Sequence, residues 1–298
     1  MKTITVFTPT YNRAHLLPRL YESLVNQTSQ DFVWMVIDDG SVDATKRLVE
    51  QWQKAAKIDI EYHYKSNGGM HTGHNLAYQL IETELNVCID SDDYMPLNAI
   101  SEIVDFWKGL KDHEQYSGFI GLDVDVNNKV IGSGMPKDLK EGSYLDLYKR
   151  VNGDKKFVLV TKEVRKFPRY PEYDNEKLVP LGILYIMMGE NKHFAYLNKV
   201  LCVVDYQIEG SSHSILKQYR QSPKGFAYAR KIKLKYSESI KDEVRIYTHL
   251  ISSSLFAKDL SIAFTNVNPL KTFLIMPFGL LFHIYVLLRI NYTNNLNK

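Results

Sequence analysis

The chain has 298 residues, a formal net charge of +3 and 45% hydrophobic residues. This length suits one large α/β domain with an appendage or two modest domains, and the apolar share allows a sizeable buried core. The nearly balanced charge excludes a protein that binds polyanions over its whole surface, so we expect no nucleic-acid partner.

The first 95 residues repeat a rhythm of short apolar runs, each followed by a helical pattern. The runs end at Thr8, Asp38, Tyr64 and Asp90. Their spacing of about 26–30 residues is the length of one strand, one helix and two loops. This predicts βαβ units in a parallel sheet. The helices are predicted at 16–26, after Ser41 as an N-cap, around 75–81 and from Pro96 onward.

Beyond residue 110 the pattern becomes irregular. Two strands joined by a turn at Asn127 and Asn128 are predicted, and a further strand begins near Leu201. From residue 214 on, the composition changes and the pattern is helical. We therefore predict two parts, residues 1–213 and residues 214–298.

The two cysteines, Cys88 and Cys202, both lie in apolar strand-like runs without a CxxC spacing. This favours buried free thiols in a reducing compartment over a disulfide framework. The N-terminal apolar stretch is short and is interrupted by Pro9, unlike a signal peptide. We therefore expect a cytoplasmic location for the N-terminal part.

Carboxylates follow two of the predicted strands at their carboxyl ends. Asp38 and Asp39 follow the second strand, and Asp90, Asp92 and Asp93 follow the fourth. Ligands of open parallel sheets bind at this edge. Five acids there repel one another and any phosphate, unless a hard divalent cation lies between them and an anionic ligand. The pattern predicts a Mg²⁺ or Mn²⁺ site, while each segment alone is also compatible with an ordinary turn.

Four motifs occur in the order FTPTYNR, VIDDGSVDAT, SNGGMHTGHN and CIDSDD. In this order and spacing they resemble the family 2 inverting glycosyltransferases, strongly over residues 3–107 and weakly to about residue 213. The resemblance implies an α/β fold with a GT-A type nucleotide-binding domain on a mainly parallel mixed sheet. It also implies a nucleotide-diphosphate sugar donor, most often a UDP-sugar, and a hydroxyl acceptor.

The resemblance further implies roles for individual residues. Asp92 and Asp93 match metal-binding positions, and His213 is a candidate third ligand or an ordinary loop histidine. Asp39 matches the acid that binds the base or ribose of the donor. The donor-binding set implied by the four motifs is Thr8, Tyr11, Arg13, Asp39, Asn67, Gly68, Gly69, His71, Asn75, Asp90, Ser91 and Asp92.

An inverting transfer needs one carboxylate that takes the proton of the acceptor hydroxyl. The resemblance implies that this base lies in the segment PEYDNEKLVPLGILYIMM. Glu176 best matches its position, because a helical run follows closely, and Asp174 and Glu172 are competitors. The segment departs from the family pattern at Leu181, where relatives often have a glutamate.

The C-terminal part combines a basic stretch with an apolar one. Residues 217–235 hold seven Lys and Arg residues and no acid, and residues 272–288 hold no formally charged residue if His283 is neutral. Three interpretations remain open for residues 272–288: a membrane-associated segment, a helix packed on the rest of the chain, or a subunit interface. The basic stretch favours the first, with the protein peripheral on the inner face of the cell membrane.

Together these features predict a glycosyltransferase of cell-surface polysaccharide or lipid-linked glycan synthesis. Two alternatives remain. A sugar-phosphate nucleotidylyltransferase would need a glycine-rich basic loop after the first strand, where this chain has TPTYNR. A non-catalytic sugar-nucleotide-binding relative is the other. The absence of GxxxxGK[ST] excludes a P-loop enzyme, and the absence of GxGxxG after the first strand disfavours a nicotinamide enzyme.

Overall fold

The structure is a computed structural model that describes residues 2–207 and 215–296. The chain forms two compact units. The first comprises Met1–Arg169 and Leu184–Gln207, and the second comprises Tyr170–Ile183 and Ile208–Lys298. This differs from the predicted division into 1–213 and 214–298, because residues 170–183 group with the C-terminal helices.

The first unit is built on an eight-stranded mixed sheet in the order β3-β2-β1-β4-β7-β5-β8-β6. Strands β1 to β4 are parallel, and β7 is antiparallel to both of its neighbours. The strands are β1 (Ile4–Thr10), β2 (Phe32–Asp38), β3 (Ile60–Tyr64), β4 (Leu85–Cys88), β5 (Tyr116–Asp125), β6 (Glu141–Gly142), β7 (Lys155–Val160) and β8 (His193–Val204).

The helices of the first unit connect these strands, and the seventh begins in the second unit. They are α1 (Leu17–Val25), α2 (Thr45–Ala55), α3 (Met70–Leu80), α4 (Ala99–Gly109), α5 (Tyr144–Arg150), α6 (Thr161–Val164) and α7 (Gly182–Asn191). The predicted βαβ units of the first 95 residues are confirmed. Ser41 as a helix N-cap was wrong, because its Oγ accepts the N–H of Asn12 and α2 begins only at Thr45.

The segment after β5 is simpler than predicted. The turn is confirmed, since Asn128 has a positive φ of 61° and its N–H donates to Asp125 O. The second strand of the predicted hairpin is reduced to a single bridge between Val130 and Val124, where the N–H groups of Asp125 and Ile131 donate to Lys129 O and Asp123 O. Strand β7 takes the place beside β4 instead, and its pattern KKFVLV had not been assigned as a strand.

Apolar residues spaced three and four apart fix α1 on the sheet. Leu17, Leu20 and Leu24 are fully buried in the same core cluster as Trp34 of β2. Burying each such leucine stabilises the fold by roughly 1.5–3 kcal/mol. This core holds the carboxyl ends of β1, β2 and β4 in fixed register, which positions the loops that follow them.

In the described residues of the second unit, four α-helices follow the predicted helical pattern. They are α8 (Ile215–Gln221), α9 (Pro223–Lys235), α10 (Ile240–Phe256) and α11 (Pro269–Leu296). Helix α11 continues through Pro277. At Gly279 it approaches α10 so closely that a Cβ would lie 2.4 Å from Ile251 Cγ2.

Helix α11 buries only a narrow stripe. Ile275, Val286 and Ile290 are buried against the other helices. Within the described part of the chain, one helix is long and apolar enough to cross a membrane, over Pro269–Ile290, and 22% of its most apolar window is buried. The large apolar side chains that α11 exposes are Leu270, Phe273, Leu274, Phe278, Leu280, Leu281, Ile284, Tyr285 and Leu288.

Candidate active site

The loops after β1 and β2 are tied to each other at the carboxyl edge of the sheet. The Asn12 N–H donates to Ser41 Oγ at 2.8 Å, and Asn12 Oδ1 accepts the Val42 N–H at 2.9 Å. The strand order turns back between β1 and β4, so the crevice that binds ligands in open α/β sheets lies beside these loops. The four motifs therefore meet at one edge, as the sequence predicts.

Asp39 organises the third motif. Its Oδ1 accepts from Lys65 Nζ at 2.6 Å and from the Gly68 N–H at 2.8 Å. Its Oδ2 accepts from Asn67 Nδ2 at 3.2 Å and from the Gly69 N–H at 2.7 Å. These four bonds match the acceptor capacity of a carboxylate. In this structure Asp39 therefore holds the 65–69 loop, and Gly69 permits the turn with a φ of 93°.

Asp38 is fully buried beneath the loop that follows β2 and accepts hydrogen bonds from residues at this edge. Its Oδ1 accepts the Ser41 N–H at 2.7 Å, and its Oδ2 accepts from Tyr62 Oη at 2.6 Å. Burial and the Asp38 carboxylate raise the pKa of the Tyr62 phenol, so Tyr62 stays a donor at neutral pH. We conclude that Asp38 fixes the backbone of the loop.

Two arginines hold Asp92. Arg13 Nη1 lies 3.3 Å from Asp92 Oδ2, and Arg19 donates to the Asp92 carbonyl oxygen. Arg19 also pairs with Asp205 at 2.6 Å and lies over the Tyr94 ring. The half-exposed Asp92 carboxylate thus points its charge toward a cation of the first motif, and Arg19 clamps the turn that carries it.

Asp90 and Asp93 are crowded by like charge. Burial, together with Asp92, raises the pKa of Asp90. Burial and Asp90 raise the pKa of Asp93 to about 7, although Lys156 opposes the shift. Asp93 Oδ1 accepts the Asp205 N–H at 3.1 Å. Raised carboxylate pKa values mean that the protein alone leaves negative charge at this edge incompletely balanced.

A buried ion pair lies beneath these acids. Lys156 Nζ is 3.9 Å from Asp123 Oδ2, and both side chains are largely buried. Burial alone would lower the pKa of Lys156. The nearby Asp123, Asp93 and Asp90 have a larger opposite effect and raise this pKa above its usual value, so the ammonium stays charged. Burial raises the pKa of Asp123 to about 6, and its Oδ1 has no hydrogen-bond partner. We call Asp90, Asp92, Asp93, Asp123 and Lys156 the acidic cluster.

The remaining donor-binding candidates divide by exposure. Tyr11 is exposed on the loop after β1. Thr8 is fully buried, and its Oγ1 accepts from the Trp34 indole at 3.0 Å, which engages this hydroxyl in the core. The other three are also buried: His71, Asn75 and Ser91. Their contact with a donor stays a prediction.

Glu176 lies in the second unit, before α7. Its Oε1 accepts the Lys224 N–H at 3.0 Å, and its Oε2 accepts the Gly225 N–H at 2.9 Å. These are the first N–H groups of α9, which otherwise lack partners inside the helix. In this structure Glu176 thus caps α9, and its role as a base stays a prediction. His213 lies outside the described residues.

The acids suit a divalent cation only with help from a ligand. Among the described residues, no three His, Cys, Asp or Glu side chains are arranged to hold a metal ion. Mg²⁺-type sites often use one or two carboxylates and complete their coordination with substrate phosphates. The excess charge of Asp90 and Asp93, and the unpartnered Oδ1 of Asp123, fit the addition of a cation at this edge.

Four residues of this site were not predicted from the sequence: Arg19, Asp123, Lys156 and Asp205. Asp123 carried a signal, because it interrupts the apolar run GFIGLDVDV. Lys156 carried none, since a lysine at the start of a strand is usually exposed. Arg19 and Asp205 lie far apart in sequence, so only the fold pairs them.

Residues 5–132 match the family described as glycosyl transferase family 2. This part of the chain is therefore similar to the family 2 glycosyltransferases. The matched part carries all four motifs and β1 to β5, which together place Asp39 and the acids after β4 at the sheet edge.

Two named relatives share part of their sequence with this chain. A *Campylobacter jejuni* protein named GalNAc(5)-diNAcBac-PP-undecaprenol beta-1,3-glucosyltransferase is 27% identical over 211 residues, covering 67% of this chain and 63% of that protein. The *Staphylococcus aureus* poly(ribitol-phosphate) beta-N-acetylglucosaminyltransferase TarS is 29% identical over 108 residues, covering 36% and 19%. The chain thus spans less than two thirds of either relative.

Solved structures establish the fold. TarS 1–349 in complex with UDP-GlcNAc superposes with a TM-score of 0.63 at 19% identity, covering 96% of this chain and 81% of that chain. The mannosyltransferase PcManGT from *Pyrobaculum calidifontis*, in complex with GDP-Man and Mn²⁺, has a TM-score of 0.52 at 14% identity, covering 95% and 87%. This chain therefore has the GT-A fold.

Proposed function

We propose that this protein is an inverting glycosyltransferase that moves a hexosyl or related sugar from a UDP-sugar to a hydroxyl acceptor. The observation that carries the proposal is the acidic cluster, which brings the carboxylates after β4 together with Asp123 of β5, in a part of the chain that matches family 2. The names of relatives that bind UDP-GlcNAc and that transfer glucose support a UDP-sugar as donor.

The reaction is one displacement. The acceptor oxygen forms a bond to the anomeric carbon while the bond from that carbon to the diphosphate oxygen breaks, and Glu176 takes the acceptor proton. Asn67, Gly68 and Gly69, held by Asp39, offer a loop that approaches the donor closely. Arg13 is within reach of Asp92 and can move its charge to a donor phosphate.

Asp92 and Asp93 are the residues proposed to hold a Mn²⁺ or Mg²⁺ ion, which supplies charge stabilisation for the leaving diphosphate. Lys156 and Arg19 keep these acids in place when the donor is absent. The neighbour crystallised with GDP-Man and Mn²⁺ supports a divalent ion in this fold. His213 is retained as a candidate ligand.

One observation favours a second candidate, a sugar-nucleotide-binding relative without transfer activity. Both carboxylate oxygens of Glu176 are engaged by the first turn of α9, which competes with a role as base. Turnover separates the two candidates. The full chain should release UDP from a UDP-sugar in the presence of Mn²⁺, lose this activity in EDTA and regain it with added Mn²⁺. Donor binding without turnover would support the second candidate.

We also propose that the protein acts at the cytoplasmic face of the membrane on a lipid-linked glycan. The exposed apolar surface of α11 supports this, because soluble proteins rarely leave so large a patch uncovered. The name of the *Campylobacter jejuni* relative, which includes an undecaprenol-linked acceptor, supports it as well.

Substitutions on the surface of α11 test membrane association better than truncation, because Val286 and Ile290 belong to the buried core of the second unit. The triple variant Phe273→Ser, Leu274→Ser and Phe278→Ser should leave the membrane fraction and keep donor turnover. As a control, the exposed Val42 and Leu97 of the first unit can be changed to Ser. Retention of the triple variant in the membrane fraction would contradict the proposal.

A further inference from the structure

Four cationic or titratable basic side chains lie together where α9 packs on α10. Arg230 and Lys233 are three residues apart on α9, and Arg245 and His249 are four residues apart on α10, so each pair shares a helix face. We call these four residues the basic cluster. Arg230, Lys233 and His249 are half-buried, and Arg245 is exposed at the edge.

The members of the basic cluster repel one another. Burial lowers the pKa of Lys233, and Arg230 and Arg245 lower it further. Burial lowers the pKa of His249 to about 4, and Arg230, Arg245 and Lys233 add to the shift. Folding therefore buries these positive charges close to one another, which costs free energy. A stable fold tolerates this cost when groups of opposite charge or hydrogen-bond acceptors compensate for it.

The described residues compensate these charges only in part. The Arg230 guanidinium lies over the Phe226 ring, 5.7 Å from its centroid. Asp242 accepts from Arg245 Nη2 at 2.8 Å at the exposed end of the cluster. No carboxylate is among the groups that shift the pKa of Arg230 or Lys233. Arg230 Nε is a buried donor without a hydrogen-bond partner. A half-buried guanidinium with an unused N–H can bind an anion, and phosphate oxygens suit it best.

The basic cluster adjoins the apolar surface of α11. The His249 ring lies 4.3 Å from the Phe282 ring, centroid to centroid. Phe278 and Tyr285, one turn to either side of Phe282 on α11, are exposed. Arg289 lies over the Tyr285 ring and adds a cation to this side of the helix. A phosphate at the cluster therefore has exposed apolar surface beside it.

We propose that the basic cluster binds the phosphate of an anionic membrane lipid whose hydrocarbon chains cover the exposed face of α11. Charge complementarity selects a phosphate, and the adjoining apolar face selects a lipid over a soluble phosphate ester. The inference rests on the membrane association proposed above and adds to it a defined headgroup site on the second unit. It places the protein on anionic bilayers through Arg230 and Lys233 in particular, and not through its lysines in general.

The test compares two double variants of the full chain. Arg230→Met with Lys233→Met removes two cluster cations, and Lys235→Met with Lys241→Met removes two exposed cations of the same helices. Binding is measured by co-sedimentation with vesicles of phosphatidylcholine, with and without phosphatidylglycerol. A cation near an anionic surface contributes about a fivefold gain in binding, so the cluster variant should bind anionic vesicles roughly 30-fold more weakly. The control variant should lose less than about fivefold.

Thermal unfolding separates a binding role from a structural one. Removing cations that repel each other should leave Tm unchanged or raise it in the cluster variant. A lower Tm with unchanged vesicle binding would make Arg230 and Lys233 structural residues and overturn the proposal. Equal losses of vesicle binding in the two double variants would mean diffuse attraction and no site, which also overturns it.

Inorganic diphosphate distinguishes the source of the phosphate. If it raises Tm of the wild type and not of the cluster variant, while anionic vesicles leave the wild type in solution, the site takes a free anion and the lipid proposal is wrong. Wild-type protein that binds neither probe overturns it as well. Release of UDP from a UDP-sugar, measured without vesicles, reports on the proposed transferase activity alone, so failure of that activity is seen independently of vesicle binding.

Discussion

The acidic cluster of the first unit and the basic cluster of the second differ in how like charges are balanced. In the acidic cluster, Lys156 supplies an internal counter-charge, and the pKa of Asp93 still rises to about 7. In the basic cluster, the described residues give Arg230 Nε no partner, and the pKa of His249 falls to about 4. Each cluster thus lacks part of its counter-charge. The acidic cluster would accept a cation, and the basic cluster would accept an anion.

Both clusters contain buried charge that the fold does not fully compensate. A fold that only had to be stable would place paired or apolar residues at both sites, because unpaired buried charge costs several kcal/mol. The acidic cluster retains part of its own compensation and should stay folded without a ligand. The basic cluster depends more on what it binds.

The acceptor base should lie outside the acidic cluster, which is proposed to bind the metal ion and the donor. Glu176→Gln should lower kcat by about 10²- to 10⁴-fold with donor KM nearly unchanged, because a general base acts on the acceptor proton. Steady-state kinetics with a saturating acceptor measure this. Asp174→Asn is the matched control. Near-normal kcat in Glu176→Gln, with a loss in Asp174→Asn, would move the role to Asp174.

Lys156→Met breaks the internal compensation of the acidic cluster. Removing one partner of a buried charge group should cost about 3–5 kcal/mol of unfolding free energy at pH 8. The cost should shrink near pH 5, where Asp93 and Asp123 are largely protonated. Chemical denaturation at both pH values measures it. Lys129→Met controls for loss of an exposed lysine in the same unit. An equal cost at both pH values would mean that Lys156 contributes packing and not charge.

Asp92→Asn tests the metal-binding end of the acidic cluster. Loss of a carboxylate that holds the ion beside the diphosphate should lower the rate at least 100-fold, about 3 kcal/mol in activation free energy. Donor turnover at increasing Mn²⁺ concentration measures it, and part of the loss should return at high Mn²⁺. Asp105→Asn, a change on α4, is the control. Full activity of Asp92→Asn in EDTA would remove the metal from the proposal.

Asp123→Asn gives the smallest effect and reports on burial. The folded pKa of Asp123 is about 6, above the value near 3.9 of an unfolded aspartate. The folded state therefore holds the proton more tightly, and stability is lost as pH rises from about 4 to about 6. This loss is about 2–3 kcal/mol for the group, and Asp123→Asn should remove it. Unfolding measured at several pH values in this window checks the slope. An unchanged slope in Asp123→Asn would assign it to other acids.

The sequence alone determined the first half of the fold because its signals are local. Apolar runs ending at Thr8, Asp38, Tyr64 and Asp90 and the helices between them reappear as β1 to β4 and α1 to α4. Parallel strands bring their carboxyl ends to one edge, so the meeting of the segments after β1, β2 and β4 followed from spacing. Asn67, Gly68 and Gly69 were implied by the family resemblance. The C-terminal helices followed in the same way from composition and periodicity.

Only the tertiary structure decided the partners of these residues, because pairing across long sequence separations leaves no local pattern. The placement of β7 between β4 and β5 brings Lys156 under Asp90 and Asp93, and a lysine in KKFVLV gives no sign of this. Asp39 was expected to bind the donor and here holds the 65–69 loop. The basic stretch in 217–235 was a run of charges in the sequence, and helix packing turned two of its members inward, beside His249 and Arg245. Burial is the main physical cause of the shifted pKa values at both clusters, and the sequence does not show which charged residues are buried.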